Sequence, residues 1–285
     1  MHQIRARILS NQKVIEKYYK MSLYAPEVAQ EAYPGQFIHI RCTDGCNPLM
    51  RRPFSIYKAE GKKIEILYEV VGKGTHLLSG KRVGEGVGIL GPSGRGFKIN
   101  LPLRRTVLVA GGIGVAPLYF LASKLMEILK KEEKEKIGEN FIPLPLVLIG
   151  AKNEEKILEE EEFKNLKVEV KIATDNGSKG FKGEVTDFFT SLFLIPESLS
   201  FVNVYACGPP PMLKKIAMLS YKYGFPCQLA LEQKMGCGIG ACLGCVIKGK
   251  NGYLRVCKDG PVFDAGEIDW GQVFKLHTKH FINLD

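Results

Sequence analysis

Long apolar runs are missing from this chain. No stretch reaches 18 consecutive apolar residues, so no membrane-spanning helix is expected. The N-terminus, Met1-His2-Gln3-Ile4-Arg5, has no apolar signal core and runs straight into an alternating, strand-like pattern, as expected of a cytoplasmic protein. Dense basic clusters are missing too. The net charge is +10, but Lys and Arg are dispersed and many stand beside Glu, as across 130–136 and 152–167. That is the look of solvated helix faces, and a nucleic-acid footprint is not expected. A second C-x2-C knuckle is absent among eight cysteines, which weighs against zinc. The glycine turn Gly112-Ile113-Gly114 is not a complete G-x-G-x-x-G, because Pro117 takes the last place.

What is present suffices for two domains and a small appendage: 285 residues, 45% of them hydrophobic. Four cysteines near the C-terminus say most. Cys237, Cys242 and Cys245 follow C-x4-C-x2-C, the plant-type ligand spacing of a [2Fe-2S] cluster, and Cys257 closes the set. Gly236, Gly238, Gly240 and Gly244 let a tight loop bring three thiolates onto a small inorganic core. Zinc and disulfides are the rivals; cysteines two apart in a Gly-rich loop make poor staples. The gap from Cys245 to Cys257 is shorter than in plant ferredoxins, so this is a variant of that pattern. Cys42 and Cys46 form a loose C-x3-C without partners and read as free thiols.

Residues 1–100 read as a small antiparallel β-barrel. Ile4–Leu9, Tyr18–Ser22, Gln36–Cys42, Ser55–Ala59, Lys63–Val70 and Gly86–Leu90 are short β-branched and aromatic segments. Pro34-Gly35, Gly61, Gly72, Gly91-Pro92, Gly94 and Gly96 punctuate them. After Leu101-Pro102 the pattern becomes α/β, over 101–229. Strands are expected at Thr106–Ala110, Leu144–Gly150, Val168–Ala173 and Val202–Ala206. They alternate with helices at 116–131, Glu154–Phe163, Thr186–Phe193 and Pro210–Tyr223, the pattern of a parallel sheet. Lys130–Glu139 reads as a solvated connector, and Cys227–Leu231 as one more strand. A cluster module follows at 230–268 and a tail at 269–285, which can pack on its own body or on a partner.

Three motifs carry further chemistry. Arg51-Arg52-Pro53-Phe54-Ser55 suits a flavin dinucleotide: Arg52 for the pyrophosphate, Phe54 for a ring face, Ser55 for the flavin edge. Leu67-Tyr68-Glu69 leads into Gly72-Lys73-Gly74-Thr75, where Gly74 and Thr75 can offer amides to a phosphate. Gly111-Gly112-Ile113-Gly114 lies between a strand and a helix, the context of a dinucleotide-binding turn, with Pro117 in place of the last glycine. Cys207-Gly208-Pro209 ends the fourth strand, where a nicotinamide can meet it; Cys207 is either beside hydride transfer or a small buried thiol. Nicotinamide exchanges two electrons at once and a [2Fe-2S] cluster one, and a flavin can do both, so a chain with all three sites converts one into the other.

Arg52-Pro53-Phe54-Ser55, Gly111-Gly112-Ile113-Gly114 and Cys207-Gly208-Pro209-Pro210 together resemble the ferredoxin–NADP reductase superfamily. Leu231–Cys242 and Val256–Phe263 narrow the resemblance, over about residues 1 to 268, to the electron-transfer subunit of class 1B dihydroorotate dehydrogenase. The resemblance implies FAD at Arg52, Pro53, Phe54, Ser55, Leu67, Tyr68, Glu69, Gly74 and Thr75, and cluster ligation by Cys237, Cys242, Cys245 and Cys257. It implies a partner subunit that holds FMN and oxidises dihydroorotate to orotate in pyrimidine synthesis, in a heterotetramer of two of each. Electrons then pass from FMN through the cluster and FAD to NAD⁺. Acidic residues around Lys152 favour NAD over NADP. The small subunit of a bifurcating NADH-dependent ferredoxin–NADP reductase and the diaphorase subunit of a cytosolic hydrogenase share these parts. A zinc-stabilised regulator without turnover is the reading from another class.

Overall fold

The computed structural model describes residues 1–100, 105–135, 144–193 and 202–273. The Leu101-Pro102 boundary, the end of the 130–139 connector and the tail from 274 lie outside them. Six strands open the chain: β1 (His2–Ile15), β2 (Tyr18–Tyr24), β3 (Phe37–Arg41), β4 (Arg52–Glu60), β5 (Lys63–Glu69) and β6 (Gly86–Ser93), with short helices α1 (Pro26–Glu31) and α2 (Lys73–Ser79) between them. They close into an antiparallel barrel in the order β1-β2-β5-β4-β3-β6, so no edge is left for another chain to pair with. Alternation fills it: Ile38, Ile40, Ile56, Ile64, Ile66 and Ile89 point inward.

Two barrel strands run further than their apolar cores suggest. β1 continues through polar Ser10–Lys13 because that arm pairs with β2, from Ser10 opposite Ser22 to Ile15 opposite Tyr18. β6 continues through Gly91-Pro92; the β3–β6 register slips between Phe37 and His39, so the ladder skips the imino nitrogen that has no hydrogen to donate.

The second body contains β7 (Arg105–Gly111), α3 (Val115–Glu135), β8 (Leu146–Ala151), α4 (Glu160–Asn165), β9 (Glu169–Thr174), β10 (Phe181–Lys182), α5 (Val185–Leu192), β11 (Val202–Cys207), α6 (Pro210–Tyr223) and β12 (Cys227–Ala230). Strands β13 (Val246–Gly249) and β14 (Gly252–Arg255) form a separate hairpin; α7 (Val256–Asp259) and β15 (Val262–Asp264) follow. The main sheet has the order β10-β9-β8-β7-β11-β12-β15, parallel except for β15, which runs antiparallel to β12. The order reverses between β7 and β11, the switch point at which open α/β sheets bind ligands.

Helix α3 lies between the sheet and the barrel. Leu118, Leu121, Ala122 and Leu125 pack with Leu108 and Ala110 of the sheet, while Phe120 enters the barrel core. The segment Gly112–Lys131 is long and apolar enough to cross a membrane, but 67% of it is buried inside this fold, so it is a core helix. Pro117 sits in its first turn, where no amide is needed. The expected connector at Lys130–Glu139 is corrected in part: α3 continues to Glu135.

The helix expected over Glu154–Phe163 is also corrected. A 3₁₀ turn at Glu154–Lys156 is followed by an extended link, and α4 begins only at Glu160. Glu159 takes a left-handed conformation, φ 62°, and turns its carboxylate into the barrel interface. There it accepts Tyr57 Oη at 2.5 Å and Lys20 Nζ at 2.7 Å. Tyr57 stacks on Tyr119 of α3 with centroids 4.3 Å apart. Local helix preference yields to this interdomain contact. Trp270 and Val273, at the start of the tail, pack on the chain's own core.

Candidate functional site

The cluster loop leaves the sheet at the end of β12. Gly238 and Gly240 hold φ of 72° and 84°, values that admit glycine best. The turn wraps backbone amides around sulfur: Ile239 N at 3.5 Å and Cys242 N at 3.4 Å from Cys237 Sγ. Gly244 N stands 3.4 Å from Cys242 Sγ, and Cys257 N 3.4 Å from Cys245 Sγ. Burial alone would push the Cys237 thiol up, but the amides of Ile239 and Cys242 help bring it down to about 6. Burial, then the neighbouring Cys245, pushes Cys257 up to about 12.

Backbone amides link the cysteines in two pairs, Cys242 N to Cys237 Sγ and Cys257 N to Cys245 Sγ. A [2Fe-2S] core takes two thiolates on each iron, and these pairs fit it. No group of three or more His, Cys, Asp or Glu among the described residues is arranged around a single metal-ion position. A clamp holds the fourth cysteine. Arg255 grips Asp259 with Nε at 3.0 Å and Nη2 at 3.1 Å, and its backbone N donates to the same carboxylate at 2.8 Å. Arg255 Nη1 reaches Gly240 O at 3.5 Å. The pair thus brackets α7, which carries Cys257, and ties it to the loop carrying the other three.

At the barrel, Arg52 and Gly74 come together. A Cβ on Gly74 would lie 3.3 Å from Arg52 Nε, so the guanidinium passes over the start of α2. Among the described residues, Arg51 and Arg52 donate only to carbonyls, of Gly88 and of Met50 and Arg51. Burial, then the charge of Arg41, holds Arg51 below its ordinary pKa. Cations without a carboxylate partner fit a diphosphate. The Thr75 hydroxyl is spent on its own turn, accepting from Val71 N and Gly72 N.

Other side chains of the flavin motifs turn elsewhere. Phe54 packs edge-on against Tyr68, centroids 5.6 Å apart, on the barrel core. Tyr68 donates to Asn11 Oδ1 at 2.9 Å inside the barrel. Leu67 is buried toward α3, and Glu69 pairs with Lys17 at 2.5 Å. Pro53 and Ser55 lie half-buried on β4, opposite His39 and Phe37 of β3.

At the switch point the two turns nest. A Cβ on Gly114 would meet Cys207 O at 2.1 Å, one on Gly111 would meet Pro209 Cδ at 2.6 Å, and one on Gly208 would meet Met212 Cε at 2.7 Å. These three glycines are used to bring β7–α3 and β11–α6 together. Gly112, φ 53°, has open space where a side chain would be, so the approach to a ligand falls to it. Cys207 ends β11 between Ala110 and Ala230 and is 2% exposed. Burial, then the charge of Glu232, pushes its thiol well up, so it stays protonated.

Glu232 was not singled out in the sequence. Its side chain is exposed. The protein around it, then the charge of Glu69, raises its carboxyl. Its own charge acts in turn on the Cys207 thiol. Only its place beside the cysteine loop could have drawn attention to it.

Residues 232–269 match the iron–sulfur cluster binding domain of dihydroorotate dehydrogenase B, and residues 108–217 match the oxidoreductase NAD-binding domain. The dihydroorotate dehydrogenase B (NAD(+)) electron transfer subunit of Desulforamulus reducens is 38% identical over 271 residues, 93% of this chain and 97% of that protein. The same subunit of Geobacillus thermodenitrificans is 40% identical with the same coverage. Among solved structures, that of an NADH-dependent reduced ferredoxin–NADP oxidoreductase overlays with a TM-score of 0.80 at 30% identity, over 97% of this chain and 94% of the other. A ferredoxin NADP⁺ reductase from Neisseria gonorrhoeae with bound FAD and NADP shares the fold, with a TM-score of 0.58 at 16% identity over 78% of this chain and 92% of the other.

Proposed function

The chain belongs to the family of dihydroorotate dehydrogenase B electron-transfer subunits, and from that premise we propose that it serves an FMN-containing catalytic subunit that oxidises dihydroorotate to orotate in pyrimidine synthesis, with NAD⁺ as acceptor. The pairing of Cys237 with Cys242 and of Cys245 with Cys257, each through a backbone amide to sulfur, supports the reading on the structural side. When bound, FAD and the [2Fe-2S] cluster supply the exchange between two-electron and one-electron chemistry.

The residues divide the work of binding. Arg52, beside Gly74 and Thr75, holds the FAD diphosphate, with Arg51 adding charge. Pro53 and Ser55 would border the flavin, with Phe54 on β4 and Leu67, Tyr68 and Glu69 at the end of β5 contributing backbone. Gly112, on the frame built by Gly111, Gly114, Gly208 and Pro209, receives the nicotinamide nucleotide. Cys207 lies beside it as a neutral thiol that presents no charge to the hydride path.

The catalytic subunit docks on the cluster loop. Ile239, Leu243 and Tyr253 are exposed, the last two at 61% and 65%, and Met50 extends the patch by touching Gly236. Apolar side chains gathered around exposed Cys242 suit a partner that brings its own redox centre close. The complex is a heterotetramer of two of each subunit, in the cytoplasm, with no membrane and no nucleic acid.

Co-expression with the neighbouring FMN subunit tests this. The pair is expected to co-purify and to reduce NAD⁺ with dihydroorotate. A complex that forms without this activity, or that reduces NADP with ferredoxin instead, overturns the substrate assignment. Leu243→Asp is expected to weaken assembly at least tenfold while leaving NADH-dependent dye reduction by the free subunit unchanged.

A further inference from the structure

His39 has no part in the arrangement above. It projects from β3 with Pro53 of β4 opposite it. It is 1% exposed, and neither ring nitrogen has a hydrogen-bond partner. Among the described residues, no other side chain leaves two buried polar atoms unpartnered. Gly238 of the cluster loop rests on the ring: a Cβ there would lie 2.6 Å from Nδ1 and 2.7 Å from Cε1. Phe37 meets the ring edge-on, centroids 5.7 Å apart. The charged groups facing it are Arg51 and Arg52; burial, then these two, lower its pKa to about 4.

A neutral imidazole carries one N–H donor and one acceptor nitrogen. Leaving such a donor unpaired in a protein interior is destabilising. The large buried donors Tyr57, Tyr68, Tyr205 and Trp270 are paired, to Glu159, Asn11, Lys98 O and Ala265 O. His39 is not, and it lies where the Cys237-Gly238 turn closes on the barrel. The group bound by that turn presents thiolate and sulfide sulfurs, which only accept hydrogen bonds. Every donor to a cysteine sulfur named above is a backbone amide. His39 is the side-chain donor that abuts the same turn.

We propose that His39 donates its imidazole N–H to a sulfur of the bound cluster, fixing the cluster loop against the barrel and raising the cluster's reduction potential. Hydrogen bonds to sulfur stabilise the negative charge gained on reduction, hence the sign. The inference rests on the cluster reading given under the proposed function.

The test uses the full chain, prepared anaerobically with its cofactors. His39→Leu keeps much of the volume without a donor, and His39→Gln keeps a donor. With ¹⁵N-histidine, pulsed EPR of the reduced cluster is expected to show a weakly coupled histidine nitrogen that His39→Leu removes. The cluster midpoint is expected to fall in His39→Leu and largely recover in His39→Gln, with the flavin midpoint unchanged. No histidine coupling in the parent, an unshifted cluster potential in His39→Leu, or movement of the flavin potential alone overturns the inference. If both variants lose the cluster, the coupling in the parent still decides. A parent with no [2Fe-2S] signal overturns the proposed function and this inference together, whereas a cluster without the coupling overturns this inference alone.

Discussion

Gly114 has no room for a side chain, and a single methyl group measures how much the switch point depends on that. A Cβ would stand 2.1 Å from Cys207 O and 2.8 Å from Gly208 N, both backbone atoms that cannot swing aside. Gly114→Ala must therefore separate β7 from β11 or tilt the start of α3. It is expected to destabilise the fold by about 1–3 kcal/mol, as overpacking does, and to weaken nucleotide binding as well. Denaturant titration and NADH titration of the same variant check the two effects. At Gly112 nothing lies within 4 Å, so Gly112→Ala has only the strain of φ 53° to bear and is expected to lose nucleotide affinity with a smaller loss of stability. The sequence marked all these glycines alike, as cofactor contacts. The contacts that distinguish them come from the 207–212 segment, almost a hundred residues on.

Among the elements, the 255–259 stretch shows how a short helix can govern a metal site. Three hydrogen bonds join Arg255 to the Asp259 carboxylate around Cys257. Asp259→Asn keeps the shape but removes the charge that organises the guanidinium. A charge-assisted bond of this kind contributes about 1.5–3 kcal/mol, so the cluster is expected to be lost roughly ten- to hundredfold faster under a chelator. Bleaching of the visible absorbance measures it, with flavin content expected to stay constant. Sequence legibility divides at this scale. Pro210–Tyr223 was readable end to end, because proline opens the helix and Gly224, in a left-handed turn, closes it. The cysteine spacing was readable because ligand geometry is local. The break at Glu159 and the burial of His39 were not, since each is set by a strand or loop far away in sequence. The β13–β14 hairpin and β15 were missed because four- and three-residue strands carry too little alternation to register.

Across the whole molecule, the Tyr57–Glu159–Lys20 contact determines how barrel and nucleotide domain face each other. Glu159 is a buried carboxylate with one neutral and one charged donor. Tyr57→Phe keeps the stack on Tyr119 and deletes the neutral donor. It is expected to cost about 1.5–3 kcal/mol, the range for a hydrogen bond to a charged group. Thermal unfolding followed by intrinsic fluorescence, and separately by flavin release, checks it; flavin release is expected to move to lower temperature with it. The cluster segment is joined to the same frame at both ends. It leaves the sheet at the end of β12 and returns as β15 on that strand's free edge, with Arg95 N bonded to Gly260 O at 2.5 Å on the way. An electron carrier on a single tether must swing between its donor and acceptor, and thick solvent slows the swing. A carrier pinned at both ends has no swing to slow. Electron passage between the flavin and the cluster is therefore expected to keep its rate in glycerol mixtures that retard tethered carriers several-fold, as stopped-flow absorbance would record.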